Sequence, residues 1–208
     1  LHLLSRRQRQ MCIRDSRNMG VVLHHISIEK NPFKIKKNIW ALRELIRIID
    51  REAISVVHCH NPNGGVLGRL AAVLSKRKPF VVYTAHGFHF FQGAPVKNWL
   101  FYYPAEKVLA KFSDIIITIN HEDYTRADKF HYKKDGGAAL IPGVGVDLEK
   151  FYPLKEDEVH ERDTLRKNLG IPEHAFHIVS AGEINKNKNH RVVIEAIAKL
   201  ARSDIYYS

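Results

Sequence analysis

The sequence predicts an α/β fold with a doubly wound parallel sheet, and two observations support this class. From Gly20 onward, short apolar runs alternate with segments of helical period, as they do in βαβ units. Three of the runs, at residues 56–59, 79–83 and 115–119, stop abruptly at polar loops. Ligands of open α/β sheets bind beyond the carboxyl ends of the strands, so these loops are expected to form a binding site.

The other elements complete an N-terminal Rossmann-like domain over residues 17–150. The first predicted helix shows the helical recurrence of apolar residues, and Asn63 is the expected N-cap of the second. Further strands are expected at residues 21–28 and 138–141, and helices at residues 38–51, 64–75, 96–112 and 122–130.

The rest of the chain predicts a linker and a second domain. Residues 151–175 lose the alternation and become highly charged, which is typical of an interdomain linker. Residues 176–208 begin a second Rossmann-like domain with one βα unit, and because one unit cannot enclose a core we expect this domain to be truncated. Residues 1–16 continue no later pattern. We interpret them as a non-native flanking segment, and we expect the first strand of the N-terminal domain to be missing.

Composition limits the possible partners. The formal net charge of +11 favours an anionic partner, such as a phosphorylated substrate, an acidic membrane surface or nucleic acid. No nucleic-acid motif is present, and the aromatic residues follow strands instead of alternating with basic ones, so no nucleic acid is expected. No apolar run approaches the roughly 18 residues of a spanning helix. Cys12 and Cys59 provide no disulfide framework, which suits a reducing compartment.

Histidines and glycines crowd the strand ends. His86 follows a strand and precedes Gly87, so it is a candidate to touch substrate. A metal site is not expected, because His58 and His60 share one face of a strand while Cys59 takes the other. The glycines at 64, 65 and 68 lie at a strand-to-helix turn. They suit either anion binding by free N–H groups or close packing of the helix.

Two further surfaces have a functional and a structural interpretation. The loop at 182–189 carries two lysines ahead of a helix. It is either a binding site for a nucleotide diphosphate or a solvated polar loop. The aromatic cluster at 99–103 is either an interfacial surface or partly core, and Leu100 and Phe101 are assigned to the core. The stripe Arg43, Arg47 and Arg51 is either a solvated helix face or a contact for anionic lipid.

Several segments together resemble family 4 of the retaining glycosyltransferases, which have the two-domain GT-B fold, and specifically its capsular and exopolysaccharide branch. The resemblance extends from about Arg17 to the end. It is carried by VVHCHNPNGGVLGRLAA, VVYTAHGFHFFQGAP, AEKVLAKFSDIIITINHEDY, IPGVGVD followed by FYP, and GEINKNKNH.

The resemblance implies a nucleotide-sugar donor, expected to be UDP-linked, held by the C-terminal domain, and a lipid-linked glycan acceptor held by the N-terminal one. It implies reaction in the cleft between them, with no metal or cofactor, and a catalytic role for His86. It assigns Gly182, Glu183, Lys186 and Lys188 to the donor, with Lys188 neutralising the departing diphosphate. The implied acceptor and cleft residues are His60, Gly64, Gly65, Phe88, His89, Asn120, Glu122 and Asp123.

The chain departs from the family pattern at two positions. Glu183 stands where many members have arginine, so Lys186 is expected to supply the missing cation. Asn189 stands where many have glycine, and asparagine tolerates the left-handed conformation that glycine would supply. The paired-glutamate motif that grips the donor sugar lies outside the sequence, so the sugar itself is not predicted.

The resemblance further implies a cytoplasmic protein bound peripherally at the inner face of the cell membrane. We expect this chain alone to be inactive. Two other functions stay open: a GT-B sugar-nucleotide epimerase, and a non-catalytic basic α/β binding module.

Overall fold

The structure is a computed structural model that describes residues 18–29, 34–143, 145–155, 158–186 and 188–208. The chain divides into two compact units, Leu1–Gly145 and Val146–Ser208. The predicted flanking segment 1–16 lies outside the described residues.

The first unit is a parallel sheet with connecting helices. Its elements are α1 (Ile35–Arg51), β1 (Val56–His60), α2 (Pro62–Leu74), β2 (Phe80–Ala85), α3 (Val96–Ala110), β3 (Ile115–Thr118), α4 (His121–Ala127) and β4 (Gly137–Leu140). The strands lie in the order β1-β2-β3-β4 and every neighbouring pair is parallel. The predicted α/β class is therefore confirmed, and the ends of the three strands named above do meet at one edge.

Helix α2 begins earlier than predicted, and its N-cap is Asn61 and not Asn63. The Asn61 side chain accepts a hydrogen bond from the Gly64 N–H at 3.0 Å. Pro62 occupies the first helical turn, where its fixed φ and missing N–H cost nothing. The cap therefore falls on the residue before the proline.

Aromatic side chains dominate the core of the first unit. Phe88, Phe90 and Phe130 are buried there, and Trp99 and Tyr103 of α3 pack against them. The assignment of Leu100 and Phe101 to the core was wrong, because these side chains are 66% and 73% exposed. Positions 99 and 103 are one helical turn apart and share a face, whereas 100 and 101 turn away from it.

Residues 21–28, predicted as a strand, form none in the structure. A strand requires a neighbour whose N–H and C=O groups pair with its own. Of the strands in the described part of the chain, none pairs with this segment. Its apolar residues Val21, Val22 and Leu23 are accordingly exposed.

The second unit is a small parallel βαβ arrangement. It contains α5 (Val159–Asn168), β5 (Phe176–Ile178), α6 (His190–Leu200) and β6 (Ile205–Tyr207), and β5 and β6 pair in parallel. Helix α5 lies within the predicted linker, where its charged sequence and lack of buried residues conceal the helical period. Strand β6 was also not predicted, since it closes the unit only through its pairing with β5.

Candidate functional site

Strands β1 and β2 bring three histidines together. Their parallel register sets His60 opposite Thr84, so His86 emerges two residues beyond the position of His60. His58 and His60 share one face of β1, as predicted, and their rings lie 4.3 Å apart between centroids. Cys59 points to the other face, where it is buried against Gly68 of α2.

The histidines form a chain of contacts that ends at His86. His58 Nε2 lies 2.8 Å from the Thr84 hydroxyl, and His60 Nδ1 lies 3.1 Å from His86 Nε2. Partial desolvation lowers the pKa of the exposed His60 ring, and the neighbouring His58 and His86 lower it further. The cluster therefore disfavours a positive charge on its middle ring.

The loop after His86 alternates inward and outward side chains. Gly87 has a φ of +134°, which residues with a side chain rarely adopt. Phe88 and Phe90 then enter the core and stack at 4.6 Å between ring centroids. His89 stays exposed, with its ring 4.7 Å from that of Tyr102. The two phenylalanines thus anchor the loop on either side of an exposed histidine.

Helix α4 braces the same loop from the end of β3. Asn120 caps the helix by accepting from the Asp123 N–H at 2.8 Å. The Asp123 carboxylate accepts from the Phe88 N–H at 3.0 Å, and the Glu122 carboxylate accepts from the Gln92 N–H at 2.5 Å. The Gln92 N–H is the first cause, and Arg126 the second, that lowers the pKa of Glu122.

These contacts refine the expected cleft residues. Asp123 and Phe88 are buried, so they hold the loop and do not line a surface that a sugar could reach. His60, His89, Asn120 and Glu122 are exposed. The sequence did not indicate the bracing role, because the N-cap pattern of Asn120 signals only the start of α4.

The glycines of α2 have different roles. A Cβ at Gly65 would lie 2.6 Å from Tyr83 Cε2, so this residue permits the close approach of α2 to β2. Gly64 lies instead at a groove of about 590 Å³, which Asn61, His89 and Tyr102 also line. Of the two glycines expected at the cleft, the structure leaves only Gly64 beside open space.

The expected donor loop lies in the second unit and is exposed. The Lys188 N–H donates to Asn185 Oδ1 at 2.9 Å, and the Asn185 amide donates to the Glu183 carboxylate at 3.0 Å. Asn189 has a φ of +48°, which confirms that it takes the left-handed conformation. Neither Lys186 nor Lys188 belongs to an ion pair within the ranges that the structure describes.

Other kinds of site find no support in the described ranges. No group of three or more His, Cys, Asp or Glu side chains there could hold a metal ion. Burial raises the pKa of the Cys59 thiol to about 11, which keeps it in the unreactive neutral form. Within the same ranges no helix has the length and apolar character needed to cross a bilayer.

Comparisons with known proteins identify two similar curated sequences. The chain is 46% identical over 176 residues to EpsD of Bacillus subtilis, named as a proposed glycosyltransferase, covering 84% of this chain and 45% of EpsD. It is 31% identical to the UDP-Gal:alpha-D-GlcNAc-diphosphoundecaprenol alpha-1,3-galactosyltransferase of Escherichia coli, covering 81% of this chain and 42% of that protein. The chain thus spans less than half the length of these relatives.

A solved structure supports the fold, and a family match supports the classification. Anabaena HepE, crystallised in complex with UDP-glucose, superposes with a TM-score of 0.61 at 15% identity, covering 80% of this chain and 42% of HepE. The family described as Glycosyl transferase 4-like matches residues 1–120. Because this match covers more than half of the sequence, the chain belongs to the Glycosyl transferase 4-like family.

Proposed function

We propose that this chain is part of an enzyme that transfers a sugar from a nucleotide-diphosphate sugar to a lipid-linked glycan, with retention at the anomeric carbon, in exopolysaccharide or capsule biosynthesis. The placement of His86 carries the proposal. It follows β2 at the carboxyl edge of the sheet, on a loop that Asp123 holds, in a chain of a glycosyltransferase family.

In this role His86 hydrogen-bonds the transferred sugar or supports the positive charge that develops at its anomeric carbon. Groups fixed in advance toward developing charge supply large catalytic contributions. The α-1,3 linkage in the name of the Escherichia coli relative is the configuration that retention produces from an α-linked nucleotide sugar. No metal ion or cofactor is part of the proposal.

The donor is proposed to be UDP-linked and to bind the exposed loop ahead of α6. Lys188 would neutralise the departing diphosphate, and Lys186 would supply a second cation near the positive end of the helix. Glu183 contributes no positive charge, and its carboxylate is hydrogen-bonded to Asn185. The names of two similar proteins support this donor class, since one carries UDP-Gal and the other is a complex with UDP-glucose.

The acceptor is proposed to bind the groove beside Gly64 and His89. The Escherichia coli relative is named for a diphosphoundecaprenol acceptor, which supports a lipid-linked substrate and a protein at the inner face of the cell membrane. The exposed Leu100 and Phe101 suit the membrane interface, with basic residues nearby on α3.

Two arginines of the α1 stripe form ion pairs on the exposed surface. Arg47 pairs with Glu44 at 3.3 Å and Arg51 pairs with Glu52 at 3.0 Å. We therefore propose weak, reversible attachment, mainly through α3. Co-sedimentation with anionic and neutral vesicles at rising salt tests it, and equal binding to both would contradict the electrostatic part.

The main test uses the full-length protein with UDP-glucose, UDP-galactose and UDP-GlcNAc, and with a sugar linked to undecaprenyl diphosphate, in the presence of EDTA. NMR of the product reports the anomeric configuration. We expect His86→Ala to lower turnover by roughly 100-fold while donor binding changes little, because His86 acts on transition-state charge. Unchanged turnover would remove His86 from the active site.

The same assay separates the alternatives. Isomerised nucleotide sugar formed without an acceptor would indicate an epimerase. Absence of turnover together with salt-dependent retention on DNA would indicate a binding module. The chain of 208 residues is expected to show no transfer, and robust transfer by it would mean that the donor binds elsewhere.

A further inference from the structure

His60 and His86 share a hydrogen bond that joins two strands at the edge of the sheet. The atoms in contact are His60 Nδ1 and His86 Nε2, 3.1 Å apart, with ring centroids separated by 5.3 Å. Contacts on β1 and β2 restrain His60, because its ring contacts His58 and His58 shares a hydrogen bond with the hydroxyl of the buried Thr84. The strands therefore fix where this ring nitrogen lies.

The contact constrains the protons of both rings. Two ring nitrogens form a hydrogen bond only when one carries a proton and the other presents a lone pair. If both rings were protonated, two N–H groups would face each other. At most one proton therefore lies between them, and the ring that accepts is held neutral at that nitrogen.

We propose that His60 is a positioning residue for His86: the His60 Nδ1 lone pair accepts from His86 Nε2–H and so sets the orientation of the catalytic ring. His86 Nδ1, which has no protein partner among the described residues, is then the nitrogen that meets the substrate. This inference rests on the proposed function of His86. It adds a supporting ring whose role is separate from contact with the substrate.

Desolvation and the two neighbouring histidines favour a neutral His60 ring, which this direction of the hydrogen bond requires. Partial desolvation is the first cause of the lowered pKa of His60, and the other contributions come from His58 and His86. No carboxylate contributes to it. The lowered pKa favours the neutral His60 ring, whose Nδ1 lone pair can then accept from His86.

The first test reads the contact without any activity. The imidazole signals of the 208-residue chain are followed by NMR across pH, in the wild type and in His60→Ala. We expect the His86 imidazole signals to differ between the wild type and His60→Ala, because the contact is lost. The signals of His131, an exposed histidine outside the site, should stay the same. Identical His86 curves in the two proteins would overturn the contact.

The second test uses kinetics of the full-length protein. His60→Ala should lower kcat roughly 10- to 100-fold with little change in KM, since a misplaced catalytic group costs that much, and should shift the pH profile. His60→Asn should recover part of kcat, because its side-chain oxygen accepts near the position of Nδ1. His131→Ala is the matched control, with kcat and pH profile expected to stay at the wild-type values.

The outcomes separate this inference from the proposed function. If His86→Ala lowers turnover as expected but His60→Ala retains kcat and the wild-type pH profile, the positioning role is overturned and the role of His86 stands. If His86→Ala retains turnover, the proposed function of His86 fails first, and the catalytic part of this inference fails with it. A loss of kcat in His60→Ala without recovery in His60→Asn would also contradict this inference. That result would show that His60 acts through packing and not as a hydrogen-bond acceptor.

Discussion

Two of the polar loops that follow strands in this chain differ in how the rest of the protein supports them. The loop at 86–92 in the first unit is tied into a core by Phe88 and Phe90 and to α4 by Asp123. The loop at 182–189 in the second unit is exposed at every described position, and α6, which follows it, has no buried residue. The same pattern of strand and polar loop thus yields one braced loop and one with little support.

The difference shows what a core contributes to a site. Catalytic groups must be held close to their productive geometry by packed neighbours, and regions with few buried contacts open locally at low cost. The first unit has the packed neighbours that His86 requires. The second has only Ile171 and Ala175 as buried apolar residues among those described, so this chain alone gives Lys188 no rigid support.

The largest expected effect comes from breaking the buried ion pair of the first unit. Arg69 is fully buried, donates to Glu106 at 2.9 Å and lies 4.2 Å from the Tyr83 ring centre. Arg69→Met leaves Glu106 buried without its partner, so the free energy of unfolding should fall by about 3–5 kcal/mol. Urea unfolding followed by tryptophan fluorescence measures it, because both tryptophans, Trp40 and Trp99, lie in the first unit.

The control is the double change Arg69→Met with Glu106→Leu. Replacing both charges by apolar groups should restore most of the loss, since no unpaired charge remains. Hydrogen exchange extends the comparison between the units: Arg69→Met should speed exchange at residues 86–92 and leave residues 182–186 unchanged. Equal acceleration in both loops would show that the two units unfold together.

The next largest effect is expected from removing the hydrogen bond by which Asp123 holds the loop at 86–92. In Asp123→Ala the buried Phe88 N–H loses its charged acceptor, which should lower the free energy of unfolding by about 1.5–3 kcal/mol. The Phe88 amide should also exchange faster, as hydrogen exchange with NMR detection can show. Asp128→Ala at the C-cap of the same helix is the matched control, because Asp128 is exposed. Unaltered exchange at Phe88 would contradict the brace.

Alanine substitutions at one glycine of each unit compare the packing of the two units directly. Gly65→Ala would force a methyl group to 2.6 Å from Tyr83 Cε2, so we expect a loss of about 1–3 kcal/mol from overpacking. At Gly182 the nearest atom is Lys188 Cγ at 3.4 Å, on a flexible side chain, so Gly182→Ala should be nearly neutral. Urea unfolding and hydrogen exchange measure the two variants. Similar losses of stability in both would contradict the difference in packing between the units.

The sequence predicted the strands and helices of the first unit because their apolar periods are clear. It also predicted the position of His86, because parallel strands end at one edge. It did not separate Gly64 from Gly65, since whether a glycine faces a groove or Tyr83 depends on helix packing. The prediction of a strand at residues 21–28 was wrong, because the sequence of one segment cannot show whether a partner strand exists. The brace by Asp123 joins residues 35 positions apart, which no local pattern encodes.

The smallest expected effect is a pH dependence carried by Glu122 at the exposed end of the braced loop. Its pKa is lowered, first by the Gln92 N–H and then by Arg126. A carboxylate whose pKa is lower in the folded state stabilises that state above its ordinary pKa, and this contribution disappears as pH falls through the folded value. Glu122→Gln keeps an acceptor for Gln92 but removes the charge.

The urea midpoint of Glu122→Gln should therefore lie slightly below that of the wild type at neutral pH, and the two should converge in acid. All other carboxylates titrate in both proteins, so the difference isolates Glu122. Glu173→Gln in the second unit is the matched control, and it should leave the tryptophan-detected midpoint unchanged at every pH. A difference for Glu122→Gln that persists in acid would mean that shape, and not charge, holds Gln92 in place.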